Sequence, residues 1–261
     1  MVWLIIAATW AGTFTGTPST PPTGQTVAEA GLSEHKFGRN AACGTSEENV
    51  AIVGGAAVWL TAESTIRIKA GGGGADGVGQ VGARTVWVSC LDDAFAAWTE
   101  EITTAGTSAS TSTTGTCFRL QRAWIGDVGA YTGFNAAAIT LETTGGTAIS
   151  QIATGEGQTQ KTAYTVPAGF TAYFQAFSLS VDSTNGVDFR FYQRRDADDV
   201  TVPFTGKRLI LYLAGVQTQT ATMIESPPSF PSGTDLWWTC DTTVGSSSDV
   251  AVQYDLWLVP D

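Results

Sequence analysis

The sequence predicts an all-β protein, two antiparallel β-sandwich or jelly-roll-like domains preceded by an extended N-terminal arm. Short runs alternate apolar and polar side chains, the period of a half-buried strand. Between them lie runs of Gly, Ser, Thr, Asp and Asn that cannot continue a ladder. No stretch of twelve or more residues carries the apolar stripe of period 3.6 that a packed helix needs.

In chain order, "MVWLIIAATWAG" is apolar but too short to span a bilayer. No Lys or Arg precedes it, which speaks against a signal peptide, so it reads as a buried strand or an arm docking on a neighbouring subunit, in a chain made in a cytoplasm. Residues 12–30, "GTFTGTPSTPPTGQTVAEA", read as an extended linker. The arm is drawn over residues 1–50, and includes "SEHKFGRNAACGT" (33–45) with the only histidine. Lys36 and Arg39 are the only basic residues among the first 66, against five acids.

Residues 51–146 form the expected first β domain. Ile66 and Ile68 share a face of "STIRIKA", Val86, Val88 and Cys90 one of "ARTVWVSC", and Phe118, Leu120 and Trp124 one of "CFRLQRAW". "LDDAFAAW" (91–98) reads as a hairpin connection, and the segments 70–82, 103–115 and 126–135 read as loops. A boundary is placed near residue 145, at "TTGG" (143–146), with a continuous sandwich as the alternative. Residues 147–261 form the second domain, with strands in "KTAYTV", "TAYFQAFSLSV", "VDFRFYQRR", "KRLILYLAG", "TDLWWTC" and "DVAVQYDLWLV". The last is apolar on both faces and is expected to be central or covered. "VPAG" (166–169) places Pro and Gly where a type I turn takes them.

A net charge of −11 repels phosphate backbones and argues against nucleic-acid binding. The four cysteines lie far apart without a C-x-x-C pair, which disfavours zinc, and reduced thiols are favoured over disulfides. Catalysis has few candidates. His35 has no nucleophile elbow beside it. The neighbouring carboxylates Asp92–Asp93, Glu100–Glu101 and Asp198–Asp199 point to opposite faces if extended and read as solvated turns. "GGGGADG" lacks the Lys and hydroxyl of a phosphate loop. "RRDADD" and "DSTNGVD" gather oxygens without matching a calcium loop. Neither metal nor cofactor is expected. Of Trp237–Trp238, one indole goes to each face of a strand, leaving one for exposure; core packing, a subunit interface and a ligand are the three uses open to the tryptophans.

Several segments together resemble a family of virion structural proteins of tailed bacteriophages, widespread in marine phages. They are "HKFGRN" (35–40), "GTSEEN", "GARTVWVSCLDDAFAAWTEEIT" (82–103), "CFRLQRAWI" (117–125) and "IATGEGQTQKTAYTVPAGFTAYF" (152–174), with "QYDLWLV" near the end. Phe170 stands where such proteins often have Lys, and the opening 24 residues differ from the family's usual start. The resemblance implies a non-enzymatic component at the particle surface, a capsid cement or decoration subunit that binds the major capsid protein and copies of itself, with a homotrimer as the expected assembly. It implies no nucleic-acid or membrane partner. The alternatives are a tail fibre or knob that binds host-surface glycans, and a polysaccharide-degrading tail enzyme. In the first reading His35, Lys36, Phe37, Gly38, Arg39 and Asn40 form a docking motif in which Lys36 and Arg39 pair with acids on a neighbour, Phe37 fills an apolar pocket and Gly38 permits a bend.

Overall fold

A computed structural model describes residues 31–52, 57–72, 74–182 and 185–261, and among these there is no helix. The expected arm residues 1–30 lie outside the described residues. The strands of the first half are β1 (Leu32–Cys43), β2 (Glu48–Asn49), β3 (Ser64–Ala70), β4 (Thr85–Leu91), β5 (Ala97–Thr103), β6 (Thr116–Cys117), β7 (Arg119–Ile125), β8 (Ile139–Thr143) and β9 (Ala148–Ile152). Those of the second are β10 (Tyr164–Thr165), β11 (Phe170–Asp182), β12 (Val187–Arg194), β13 (Arg208–Val216), β14 (Thr220–Met223), β15 (Ser229–Phe230), β16 (Asp235–Thr242) and β17 (Ser248–Pro260).

Two cores organise them. One sheet runs β1-β17-β11-β14, with β15 on β11, and a second runs β10-β16-β12-β13, with β2 on β16. They meet through an aromatic cluster in which the Phe191 ring lies 4.7 Å from Phe174 and 5.0 Å from Trp238. Inward-facing Val187, Phe189 and Phe191 follow the alternation of "VDFRFYQRR". The C-terminal strand β17 is central, between β1 and β11, and its buried face is Val250, Val252, Tyr254, Leu256 and Leu258. The other core joins the sheets β6-β3-β8-β9 and β5-β4-β7 through Ile66, Ile68, Val86, Val88, Ile139 and Leu141.

Five expectations change. Residues 32–43, assigned to the arm, form β1 and pair with β17 from Leu32↔Leu258 to Cys43↔Ser248, because their alternate positions are small or can be satisfied inside. "TTGG" (143–146) is the turn of the β8–β9 hairpin rather than a boundary, since Ile149 and Ile152 of β9 belong to the first core. The core changes between Ile152 and Ala163, and residues 31–261 form one compact unit. The cysteines are paired, Cys43 with Cys240 and Cys90 with Cys117, because the packing of one sheet on another brings together residues that are 197 and 27 positions apart.

The fourth concerns "CFRLQRAW". A bulge leaves Gln121 without a partner on β4, since Cys90 faces Leu120 and Ser89 faces Arg122. The bulge switches faces, so Ala123 points into the core and Trp124 stacks on Trp87 outside, instead of joining Leu120. The fifth is the Trp237–Trp238 pair. The indoles do take opposite faces, but both are buried, Trp238 in the aromatic core and Trp237 against Trp59 and Tyr192.

The loops are ordered by specific acceptors. Asp76, only 1% exposed, accepts from the amides of Ala83, Ala136 and Ala137, each at 2.8 Å, and so ties the glycine-rich loop to the segment after residue 130. The segment 103–115 runs beside β3. There Ser110 and Thr113 each bond Ile68 or Ile66 twice, through backbone amide and side-chain hydroxyl, and finish the edge that β3 would otherwise expose.

Candidate functional site

Structure spends the "HKFGRN" segment largely on its own chain. Alternation on β1 sends Lys36, Gly38 and Asn40 inward and His35, Phe37 and Arg39 outward. Lys36 donates to the Gln121 carbonyl at 2.6 Å, the group that the β7 bulge left unpaired. Gly38 faces the Val50 carbonyl and Thr162, where a Cβ would lie 2.5 Å from that oxygen, so its smallness serves a close backbone approach rather than a bend. Asn40 donates to Glu48 at 2.9 Å and accepts from the Ala42 amide at 3.1 Å.

On the outer side, Arg39 forms a two-pronged pair with Asp249, Nη2 to Oδ2 at 2.5 Å and Nε to Oδ1 at 2.9 Å, and this hydrogen bonding holds its pKa above the usual value. His35 Nδ1 lies 2.7 Å from Asp255. Phe37 stacks against His35, and the Arg122 guanidinium lies 5.9 Å from its ring. Acids that a neighbour was expected to supply are therefore present in β17 itself.

Lys36 belongs to a buried polar seam between the two cores that sequence reasoning missed. Lys161 donates to the Leu120 carbonyl at 2.5 Å. Gln121 uses its side-chain amide as a substitute strand partner, donating to the Thr165 carbonyl and accepting from the Thr165 amide. Arg119, 2% exposed, bonds Asp235 at 3.0 Å and the carbonyls of Leu60 and Ala197, both at 2.7 Å. Asp235 also accepts from Thr165 at 2.7 Å and Arg194 at 3.0 Å. The signal available in the sequence was the bunching of Arg119, Gln121 and Arg122 in a strand otherwise built for a core.

Burial lowers the pKa of Lys36 to about 7, and it pushes that of Lys161 well below 10.5 as well. Between about 7 and its ordinary 10.5, unfolded Lys36 carries a proton that the folded form has shed. Stability therefore rises with pH from near 7, by at most about 1.4 kcal/mol per unit for such a group. Above 10.0 the trend reverses, because burial raises Tyr164 and Tyr254 and keeps them neutral when their unfolded phenols ionise. Thermal melts should show the midpoint climbing between pH 7 and 9, and Lys36→Met should reduce that slope. A flat wild-type profile would refute the neutral buried amine.

Among the described residues no cluster of three or more His, Cys, Asp or Glu is placed to hold a metal ion. Asp92 caps the β4–β5 turn by accepting from Ala96, and Asp199 accepts from Thr205. Burial alone would raise the pKa of Glu100, but bonds from Thr114 and Gly115 outweigh it and leave a net lowering. A shallow cleft on the outer side of β12 and β16 is lined by Trp59, Trp237, Arg194, Phe204, Thr205 and Lys207, with Phe204 more than half exposed.

No family model matches the chain, and no curated protein matches it. Solved structures give distant similarities. A structure of infectious bursal disease virus, Gt strain, is 11% identical over 91% of this chain and 83% of that one, with a TM-score of 0.23. A mutant VP2 protein of the same virus, from derived T=1 particles, is 10% identical over 89% and 79%, also with a TM-score of 0.23. Values of this size do not define a shared fold.

Proposed function

We propose that this chain is a non-enzymatic structural subunit of a bacteriophage virion, a cement or decoration protein on the head that binds the major capsid protein. The observation that carries the reading is where the family-like segments lie. "HKFGRN" lies within β1, "GARTVWVSCLDDAFAAWTEEIT" holds the β4–β5 hairpin, "CFRLQRAWI" holds β7, and "GEGQTQKTAYTVPAG" contributes Lys161 and Thr165. With Phe174 and with Tyr254 of "QYDLWLV", the segments reach both cores and the seam between them, so what the resemblance shares is architecture rather than a reactive centre. A protein whose task is to be a durable building block places its constraints there.

Cryo-electron microscopy and mass spectrometry of purified particles test this. The expected result is density for the chain on the head in hundreds of copies. Density in a few to dozens of copies at the tail would favour the adhesin reading, which the cleft at Trp59 and Phe204 supports with aromatic surface beside hydrogen-bonding groups. Absence of the chain from purified virions would refute both.

A further inference from the structure

We propose that the cleft on the outer side of β12 and β16 is a binding site for a neutral carbohydrate, taking one sugar ring of a longer glycan. The assignment deepens the glycan-binding alternative and rests on it only for the setting in which a glycan is met; the grounds for the ligand are in the cleft, and they hold whether the chain stands on the head or the tail.

The aromatic lining is held rigidly. Trp237 stacks on Tyr192, with ring centroids 5.5 Å apart at 27°, and meets Trp59 edge-on at 5.7 Å. The Arg119 guanidinium, fixed in the buried seam by Asp235, lies 5.3 Å from the Trp59 ring and braces it. Phe204 also lines the cleft while remaining 54% exposed. Its loop is closed by Asp199, which accepts from the Thr205 amide at 2.8 Å and from the Thr205 hydroxyl at 3.2 Å. A phenyl ring left open to water but fixed in place offers the C–H face of a sugar the negative face of its π-system. The cleft encloses about 290 Å³, near the roughly 300 Å³ at which ligand pockets begin, which suits one ring rather than a folded partner.

The polar lining has donors to spare and its carboxylate is spent. Arg194 uses only Nη2 on the protein, toward Asp235 at 3.0 Å and the Ala197 carbonyl at 3.5 Å, so Nε and Nη1 have no acceptor among the described residues. Lys207 is half-exposed and donates to Glu47 at 3.0 Å, which leaves further N–H groups of its ammonium free. Asp235 is 1% exposed, and its two oxygens already accept from Arg119, Thr165 and Arg194. The ligand must therefore bring acceptors, as the hydroxyl and ring oxygens of a sugar do. Acidic sugars bring them too, and charge decides between the two. Arg194 and Lys207 are each neutralised by an acid of this chain, and the whole chain carries −11, so a polyanion gains no counter-charge here and meets long-range repulsion.

Isothermal titration calorimetry of the full chain against dextran, mannan and galactan tests this, with alginate and poly-L-glutamate as the acidic comparisons. The expected result is binding of at least one neutral polymer with a Kd of about 0.1–1 mM per site, changing less than about twofold between about 50 mM and about 500 mM salt. Phe204→Ala alters an exposed side chain and should weaken binding at least about fivefold with an unchanged circular dichroism spectrum, while Phe204→Trp should retain it. Failure of all three neutral polymers to bind, tighter binding of alginate or poly-L-glutamate, or a Kd indifferent to Phe204→Ala would overturn the inference. Each of these leaves open whether the chain is found in virions, which the particle experiment decides separately.

Discussion

Asp235→Ala should destabilise the fold by about 3–5 kcal/mol, the cost of leaving a buried cation without its counter-ion. The carboxylate is 1% exposed and is shared by Arg119, Arg194 and Thr165. Without that carboxylate the buried Arg119 guanidinium has no ion-pair partner among the described residues. Its remaining bonds to the carbonyls of Leu60, Phe118 and Ala197 satisfy donors but supply no opposite charge. Urea unfolding of purified protein measures the loss. The double variant Arg119→Met with Asp235→Leu should recover much of it, because the pair's own desolvation disappears with it. A loss below about 1 kcal/mol for Asp235→Ala would mean that water reaches the seam.

Asp76→Ala should cost about 2–4 kcal/mol, because three backbone amides at 2.8 Å lose a charged acceptor together. The Gly82 backbone closes over that carboxylate so tightly that a Cβ there would lie 2.2 Å from Oδ1, leaving little room for replacement water. Amide exchange should locate the damage in the loops at 76–83 and 128–137 while the second sandwich keeps its protection. Asp76→Asn retains one oxygen acceptor but turns an amide group toward donors, so its loss should fall between. If Asp76→Ala melts within about 1 °C of the parent, the carboxylate is not what orders these loops.

Strands were legible wherever alternation had a single uninterrupted register, as in "STIRIKA", "VDFRFYQRR" and the C-terminal strand. Alternation also ran through "HKFGRN", but Lys36 masked it, because a lysine on an inward position breaks the apolar count. What makes that position tolerable is a carbonyl released by a bulge in β7, about 85 residues away, and no local pattern encodes it. The same bulge puts Trp124 on the face opposite the one that alternation predicts. The disulfides failed to show for a related reason, since Cys43 and Cys240 are neighbours only after β1 and β16 have taken their places in facing sheets. In the candidate docking segment Arg39 has its acid within the same chain, in Asp249 of β17, and no local pattern links positions so far apart.

The pairing of β1 with β17 also sets an order of events in synthesis. β1 begins at Leu32 and its ladder partner among the described residues, β17, begins at Ser248, so the strand leaves the ribosome long before the surface it completes exists. The core around Ile66 and Leu141 takes its buried apolar side chains from residues up to Ile152, which are available early. Loop-closure entropy makes so distant a pairing slow, and until it forms Lys36 has no interior to enter and Cys43 no partner. Assembly of the second sandwich thus waits for β17, and a chain stopped short of that strand would hold an unpaired ribbon open to other chains.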